Sequence, residues 1–223
     1  MGEEIRSARR EPVAGFLDPI MARVNTMIAA REEAAEDPIL LAERAEAEWL
    51  ALAAKIGVPM KLARTASMVR GRSEPALVRT RRWLDDEWPS GACLVLSGPT
   101  GVGKSFAAVA ALRAMAGGRR FFYFPSLCGA WLDGDRRKEA LERAETTRTA
   151  VFDDFGTEYV KRGGLLEALL DEVVWHREAN DLPTIITTNL TSEELKGRLS
   201  DRIIDRLRGG WGRVFECPGE SLR

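Results

Sequence analysis

The chain has 223 residues, enough for one sizeable α/β domain with an appendage but hardly for two large domains. Hydrophobic residues make up 45% and charged residues 30%, and no apolar run approaches the ~20 residues needed to span a bilayer, so no membrane association is expected. The net charge of −1 is segregated: acids crowd residues 31–48, whereas Lys61, Arg64, Arg70, Arg72, Arg79, Arg81 and Arg82 face Glu74 alone, which suggests a polyanion partner or a solvated basic face.

Residues 1–15 are polar and expected to be loosely ordered, and Met1 to Arg6 lacks the apolar core of a secretion signal. Cys93, Cys128 and Cys217 lie far apart without metal-ligand spacing, and a reducing cytoplasm fits them best. Asp18-Pro19 reads as a helix start, and Leu17, Ile20, Met21, Val24, Met27 and Ile28 recur at helical spacing from just before it. Asp37-Pro38 starts a second helix with a stripe of Leu41, Ala45, Trp49, Leu52 and Ile56, stopped by Gly57. Two such helices form either a docking arm for a partner or a pair packed on the main domain. The expected division is a helical region over 1–56 and a larger domain over 57–223. Arg70-Gly71-Arg72-Ser73 reads as a loop, and Glu74-Pro75 starts a helix to about Glu87.

Ala92 to Leu96 is an apolar strand, Gly98-Pro99-Thr100-Gly101-Val102-Gly103-Lys104-Ser105 follows it, and Phe106 to Met115 is a helix. Strand, glycine-rich turn and helix together make a phosphate cradle. The glycines let backbone N–H groups turn inward, and the helix N-terminus adds partial positive charge. Lys104 reaches the β- and γ-phosphates, and the Ser105 hydroxyl suits Mg²⁺. Further strands are expected at Arg120–Phe124, Thr149–Phe152, Thr184–Thr188 and Arg213–Glu216, with helices between them. Nearly all-apolar strands alternating with helices imply an α/β fold with a five-stranded parallel sheet covered on both faces.

Val151-Phe152-Asp153-Asp154 runs an apolar strand into two acids, where ligands sit in an open α/β sheet. Asp153 suits Mg²⁺, and Asp154 suits polarising an attacking water. Ile186-Thr187-Thr188-Asn189 ends another strand in an amide that could bond a γ-phosphate and a lytic water, or cap the following helix. Arg198, Arg202 and Arg206 fall four apart along one helical face. They are either a source of an arginine finger for the transferring phosphoryl group or a solvated stripe paired with Asp201 and Asp205. His176, the lone histidine, suits packing better than catalysis. Trp211, in Gly209-Gly210-Trp211-Gly212, reads as a packing plug or a base-stacking platform.

The ordered set Gly-Pro-Thr-Gly-Val-Gly-Lys-Ser, Val-Phe-Asp-Asp-Phe-Gly, Ile-Thr-Thr-Asn-Leu and Asp-Arg-Ile-Ile-Asp-Arg-Leu resembles the DnaC/IstB family of AAA+ ATPases over about residues 57–217. The resemblance implies a P-loop NTPase fold of three αβα layers, without the helical C-terminal lid of larger AAA+ proteins. It also implies ATP and Mg²⁺ as ligands. Walker A would be Gly98, Pro99, Thr100, Gly101, Val102, Gly103, Lys104 and Ser105, with Phe106 beside it. Walker B would be Asp153 and Asp154, and sensor 1 Asn189. The arginine finger would lie in 198–208, with Arg206 ahead of Arg202. Aspartate at 154 reaches less far than the glutamate of many AAA+ enzymes, which fits slow hydrolysis stimulated by DNA or a partner. The implied function is an ATP-dependent helicase loader in DNA replication, binding single-stranded DNA and a replicative helicase and self-associating into rings or spirals. The alternatives are a transposition helper of the IstB type or an ATP-dependent assembly adaptor with little hydrolysis. A GTPase would want Asn-Lys-x-Asp, whereas Asn189 is followed by Leu190-Thr191-Ser192. A small-molecule kinase would want an acceptor pocket and an arginine-rich lid, and neither is legible in the chain.

Overall fold

The computed structural model of the chain describes residues 22, 23, 26, 37–66, 74–156 and 164–221. The first expected helix and the Arg70–Ser73 loop lie largely or wholly outside these residues. The chain divides into two compact units, 1–45 and 46–223. In the first, α1 (Pro38–Lys55) begins, with Asp37 Oδ1 accepting from the Ile39 amide at 2.8 Å as its start signal requires. Ile39, Leu40 and Leu41 are exposed there.

The second unit is built on a parallel sheet of β1 (Cys93–Ser97), β2 (Arg119–Tyr123), β3 (Thr149–Phe155), β4 (Thr184–Thr188) and β5 (Gly212–Glu216), in the order β2-β3-β4-β1-β5. The helices are α2 (Met60–Ala66), α3 (Pro75–Arg82), α4 (Lys104–Ala114), α5 (Phe124–Leu132), α6 (Arg137–Thr146), α7 (Leu165–Ala179), α8 (Ser192–Arg198) and α9 (Asp201–Arg208). Strand residues alternate between two cores, as a pleat demands. Leu94, Leu96, Val151 and Ile185 pack with α2, α3, α4 and the end of α1. Cys93, Val95, Phe152 and Ile186 pack with α5 to α9. The result is the three-layer αβα arrangement that the strand–helix alternation implies.

Three local features depart from the sequence reading. The helix expected to run to Glu87 is α-helical only to Arg82, then widens to a π-turn over Trp83–Glu87 and tightens to a 3-10 turn over Trp88–Ser90. The arginine-bearing stretch is two helices, because Ser200 caps α9 by accepting from the Ile203 amide at 3.4 Å. That break takes Arg198 off the face that carries Arg202 and Arg206. Finally, Trp49 and Ala53 of α1, with Ile56, are buried in the core of the second unit, and Trp49 Nε1 donates to the Ala63 carbonyl at 2.9 Å. The second compact unit begins at Glu46.

Candidate functional site

The carboxyl ends of β1, β3 and β4 open onto a cavity of 660 Å³, within the range of small-molecule sites. Its floor is the glycine-rich loop between β1 and α4. Gly101 and Gly103 hold φ of 93° and 89°, a left-handed turn that a side chain would strain. Gly103 is the N-cap of α4, so the first free amides of that helix point into the loop. Thr100, Gly101, Gly103, Lys104, Ser105 and Phe106 all line the cavity.

Lys104 is 6% exposed, and its Nζ donates to the carbonyls of Gly98 at 2.7 Å and Pro99 at 2.8 Å and to Asn189 Oδ1 at 3.0 Å. Burial pulls its pKa down, opposed by Cys217, Asp153 and Asp154. The second acid centre arises from an irregularity in β3. Its register against β4 shifts between Phe152 and Phe155, and Asp154 takes φ 62° inside that bulge. A bulge of this kind re-aims side chains, and aspartate is among the few residues that tolerate the left-handed region. Asp153 and Asp154 both reach the cavity as a result.

A chain of hydrogen bonds connects these groups. Thr187 Oγ1 donates to Asp153 Oδ1 at 2.6 Å and accepts from the Asp154 amide at 3.0 Å. Asn189 Nδ2 donates to Asp154 Oδ1 at 3.0 Å, while its Oδ1 receives Lys104. The Ser105 hydroxyl bonds the Asp153 carboxylate, whose pKa is nonetheless raised because burial outweighs those two hydrogen bonds. Lys104, Ser105, Asp153, Asp154 and Asn189 are thus brought to one place. Thr187 was missed as a site residue. Its signal was present: a buried strand ending in two hydroxyl residues just before an amide.

The arginines stand apart from the cavity wall. Arg206 Nη1 meets Asp171 at 2.9 Å and its Nε meets Glu178 at 2.7 Å, and Arg202 shares Asp171 at 3.0 Å while remaining largely exposed. Their partners are therefore acids of α7, not Asp201 and Asp205. Arg198 Nη1 donates to the Gly156 carbonyl at 2.5 Å. Trp211 is 8% exposed with its indole N–H on the Gly91 carbonyl at 2.7 Å, which makes it a packing plug rather than a stacking platform.

The AAA domain family model matches residues 61–190, more than half of the chain, from the cavity wall at Lys61 to just past Asn189. The chain belongs to the AAA domain family. No curated protein matches it at a significant level. Among solved structures, this AAA domain is similar to the DnaC helicase loader at 24% identity and a TM-score of 0.54, over 64% of this chain and 88% of that one. It is similar to DnaI at 22% identity and 0.56, over 71% and 89%. It also resembles the replication initiator DnaA bound to AMPPCP and single-stranded DNA, at 14% identity and 0.57, over 70% and 50%. The fold of the AAA domain is the fold of these proteins.

An AAA domain implies a nucleotide, typically with Mg²⁺, and the residues present fit both. The glycine loop offers amides and Lys104 a cation to phosphates. The hydroxyl of Ser105 and the carboxylate of Asp153, already bonded to each other, form a small all-oxygen set of the kind that holds Mg²⁺ beside phosphate oxygens.

Proposed function

We propose that this chain is an ATP-dependent, helicase-loader-like AAA+ ATPase of DNA replication, acting on single-stranded DNA and a replicative helicase. The observation that carries the ATPase reading is the hydrogen-bonded run from Lys104 through Asn189, Asp154 and Thr187 to Asp153 on one cavity. The glycine loop and Lys104 would bind the phosphates, and Ser105 and Asp153 would hold Mg²⁺. When bound, Mg²⁺ neutralises charge developing on the phosphoryl oxygens. Asp154 accepts the proton of the attacking water, and Asn189 holds that carboxylate in place. Aspartate at this position supports slow turnover that DNA or a partner accelerates.

The replication reading rests on likeness to DnaC, DnaI and DnaA. The helical region 1–56 would dock the partner, with Trp49 to Ile56 also serving the core. Self-association would bring an arginine of α9 to the neighbouring subunit's phosphates. Arg206 would have to leave Asp171 and Glu178 to act there, whereas exposed Arg202 gives up one shared contact. A cytoplasmic location fits the buried free thiols. Fluorescence anisotropy with a single-stranded oligonucleotide tests the DNA arm. ATP-dependent binding that weakens steeply as salt rises is expected, because phosphate contacts release counterions. No binding with ATP present would overturn it and leave an assembly adaptor.

A further inference from the structure

Asp154 reaches the cavity on a stretch of backbone that needs support. Between the pairs Phe152–Ile186 and Phe155–Thr188, β3 uses one residue more than β4, so Asp153 and Asp154 stand together opposite Thr187. On either side of Phe155, Asp154 and Gly156 hold left-handed φ of 62° and 89°. That region is unfavourable for a residue with a side chain, and an interrupted ladder has fewer backbone bonds to offset it. The support comes from a single stretch, the end of β4 through α8. Thr187 Oγ1 accepts from the Asp154 amide at 3.0 Å, and Thr188 Oγ1 donates to the Phe155 carbonyl at 2.6 Å. Leu190 lies so close to Gly156 that a Cβ there would meet it at 2.4 Å. A capping box of Thr191 and Glu194 fixes the start of α8. From the far end of that helix, Arg198 Nη1 donates to the Gly156 carbonyl at 2.5 Å, a charge-assisted bond.

We propose that Arg198 is a positioning residue for Asp154 of its own subunit. By fixing the Gly156 carbonyl it holds the β3 bulge, and the bulge keeps the Asp154 carboxylate turned to the attacking water. Asn189 restrains the same acid through its side chain, donating to Oδ1 at 3.0 Å, and Arg198 restrains it through its backbone. The four-residue spacing of Arg198, Arg202 and Arg206 therefore groups arginines with different tasks. Arg202 and Arg206 bind acids of α7, whereas Arg198 binds a carbonyl two residues past Asp154. Its contact lies on β3 and not on the glycine loop, so Arg198 acts on turnover and leaves ATP binding alone. The inference rests on the ATPase reading above.

ATP turnover and calorimetric ATP affinity of wild type, Arg198→Ala, Arg198→Lys, Asp154→Asn and the Arg198→Ala, Asp154→Asn double variant test it. Arg198→Ala should lower kcat about tenfold or more, as expected for losing a hydrogen bond from a charged group, with ATP affinity unchanged. Arg198→Lys keeps a charged donor and should recover part of the rate. In the Asp154→Asn background there is no carboxylate left to position, so adding Arg198→Ala should cost nothing further. Mixtures of Arg198→Ala with Asp154→Asn should turn over no faster than the mean of the two, because both residues serve the same subunit's site. Thermal melting verifies folding, and Arg198→Gln replaces Arg198→Ala if the latter is not folded. Wild-type kcat in Arg198→Ala, or the same fold loss in both backgrounds, would overturn the action through Asp154. Mixtures faster than the mean would make Arg198 act on the neighbouring subunit and overturn the assignment to its own. A wild type that binds ATP without hydrolysing it would instead overturn the ATPase reading beneath the inference.

Discussion

Asp153 shows how a functional side chain is held against its own preference. Burial raises its pKa above the ordinary value of 3.8, although Thr187 and Ser105 both bond the carboxylate. An acid whose pKa rises on folding stabilises the fold most when protonated, and that contribution is lost as pH rises through the raised value. At neutral pH the protein therefore bears the cost of a buried charge. Asp153→Asn removes the charge and keeps an oxygen for Thr187, so without nucleotide its melting temperature should exceed that of wild type at pH 7. The excess should shrink as pH falls from the raised value through the ordinary one. Addition of Mg²⁺ and ATP should raise the melting temperature of wild type and leave Asp153→Asn with little Mg²⁺-dependent gain. An Asp153→Asn variant less stable than wild type at pH 7 would contradict the dominance of desolvation.

Among the elements, the strands and the glycine loop were legible because each is a local pattern. Five apolar runs, a loop of alternating glycines and acids at a strand end need no tertiary information. The features that were not legible depend on packing between distant segments. The bulge that aims Asp153 and Asp154 exists only through the register of β3 on β4. The break before α9 is a different case: Ser200 is a local N-cap signal for the Ile203 amide, hidden behind the four-residue spacing of the arginines. Arg177 was missed because its partners lie on other segments: on paper it is one charge among many on a helix. In the fold it is 0% exposed and lies over Phe152, with Nε on Thr184 Oγ1 and its other nitrogens on the carbonyls of Ala144, Thr147 and Pro183. Burial lowers its pKa to about 10. Its planar fork ties α7 to the α6–β3 link and to the start of β4, which a point-charge lysine cannot reproduce. Arg177→Lys should destabilise the domain by at least ~3 kcal/mol in urea unfolding, because several buried acceptors lose their donors. A change below about 1 kcal/mol would mean that water or lysine satisfies them.

At the scale of the whole molecule, the second compact unit takes in the end of α1 together with the AAA domain. A chain beginning at Gly57 loses Trp49 and Ala53 from the core, a deletion at least as severe as a buried Trp→Ala change of ~3–5 kcal/mol. A chain beginning at Asp37 keeps them. Thermal melting should place the Gly57 chain well below the full-length protein and the Asp37 chain close to it; equal stability of all three would show that the α1 contacts add nothing. The chain beginning at Asp37 keeps the glycine loop, the β3 and β4 ends and the α1 core contacts, so the chemistry can be tested apart from the residues before it. The most direct measurement is ATP turnover with Mg²⁺ by wild type and Asp154→Asn, each with and without single-stranded DNA, alongside ATP affinity. Wild type should bind and hydrolyse ATP, faster on DNA. Asp154→Asn should bind ATP comparably while its turnover falls ~10²–10⁴-fold, the usual contribution of a positioned base. Asp154→Asn hydrolysing at the wild-type rate, or wild type failing to bind ATP at all, would contradict the reading of this cavity as an ATPase site.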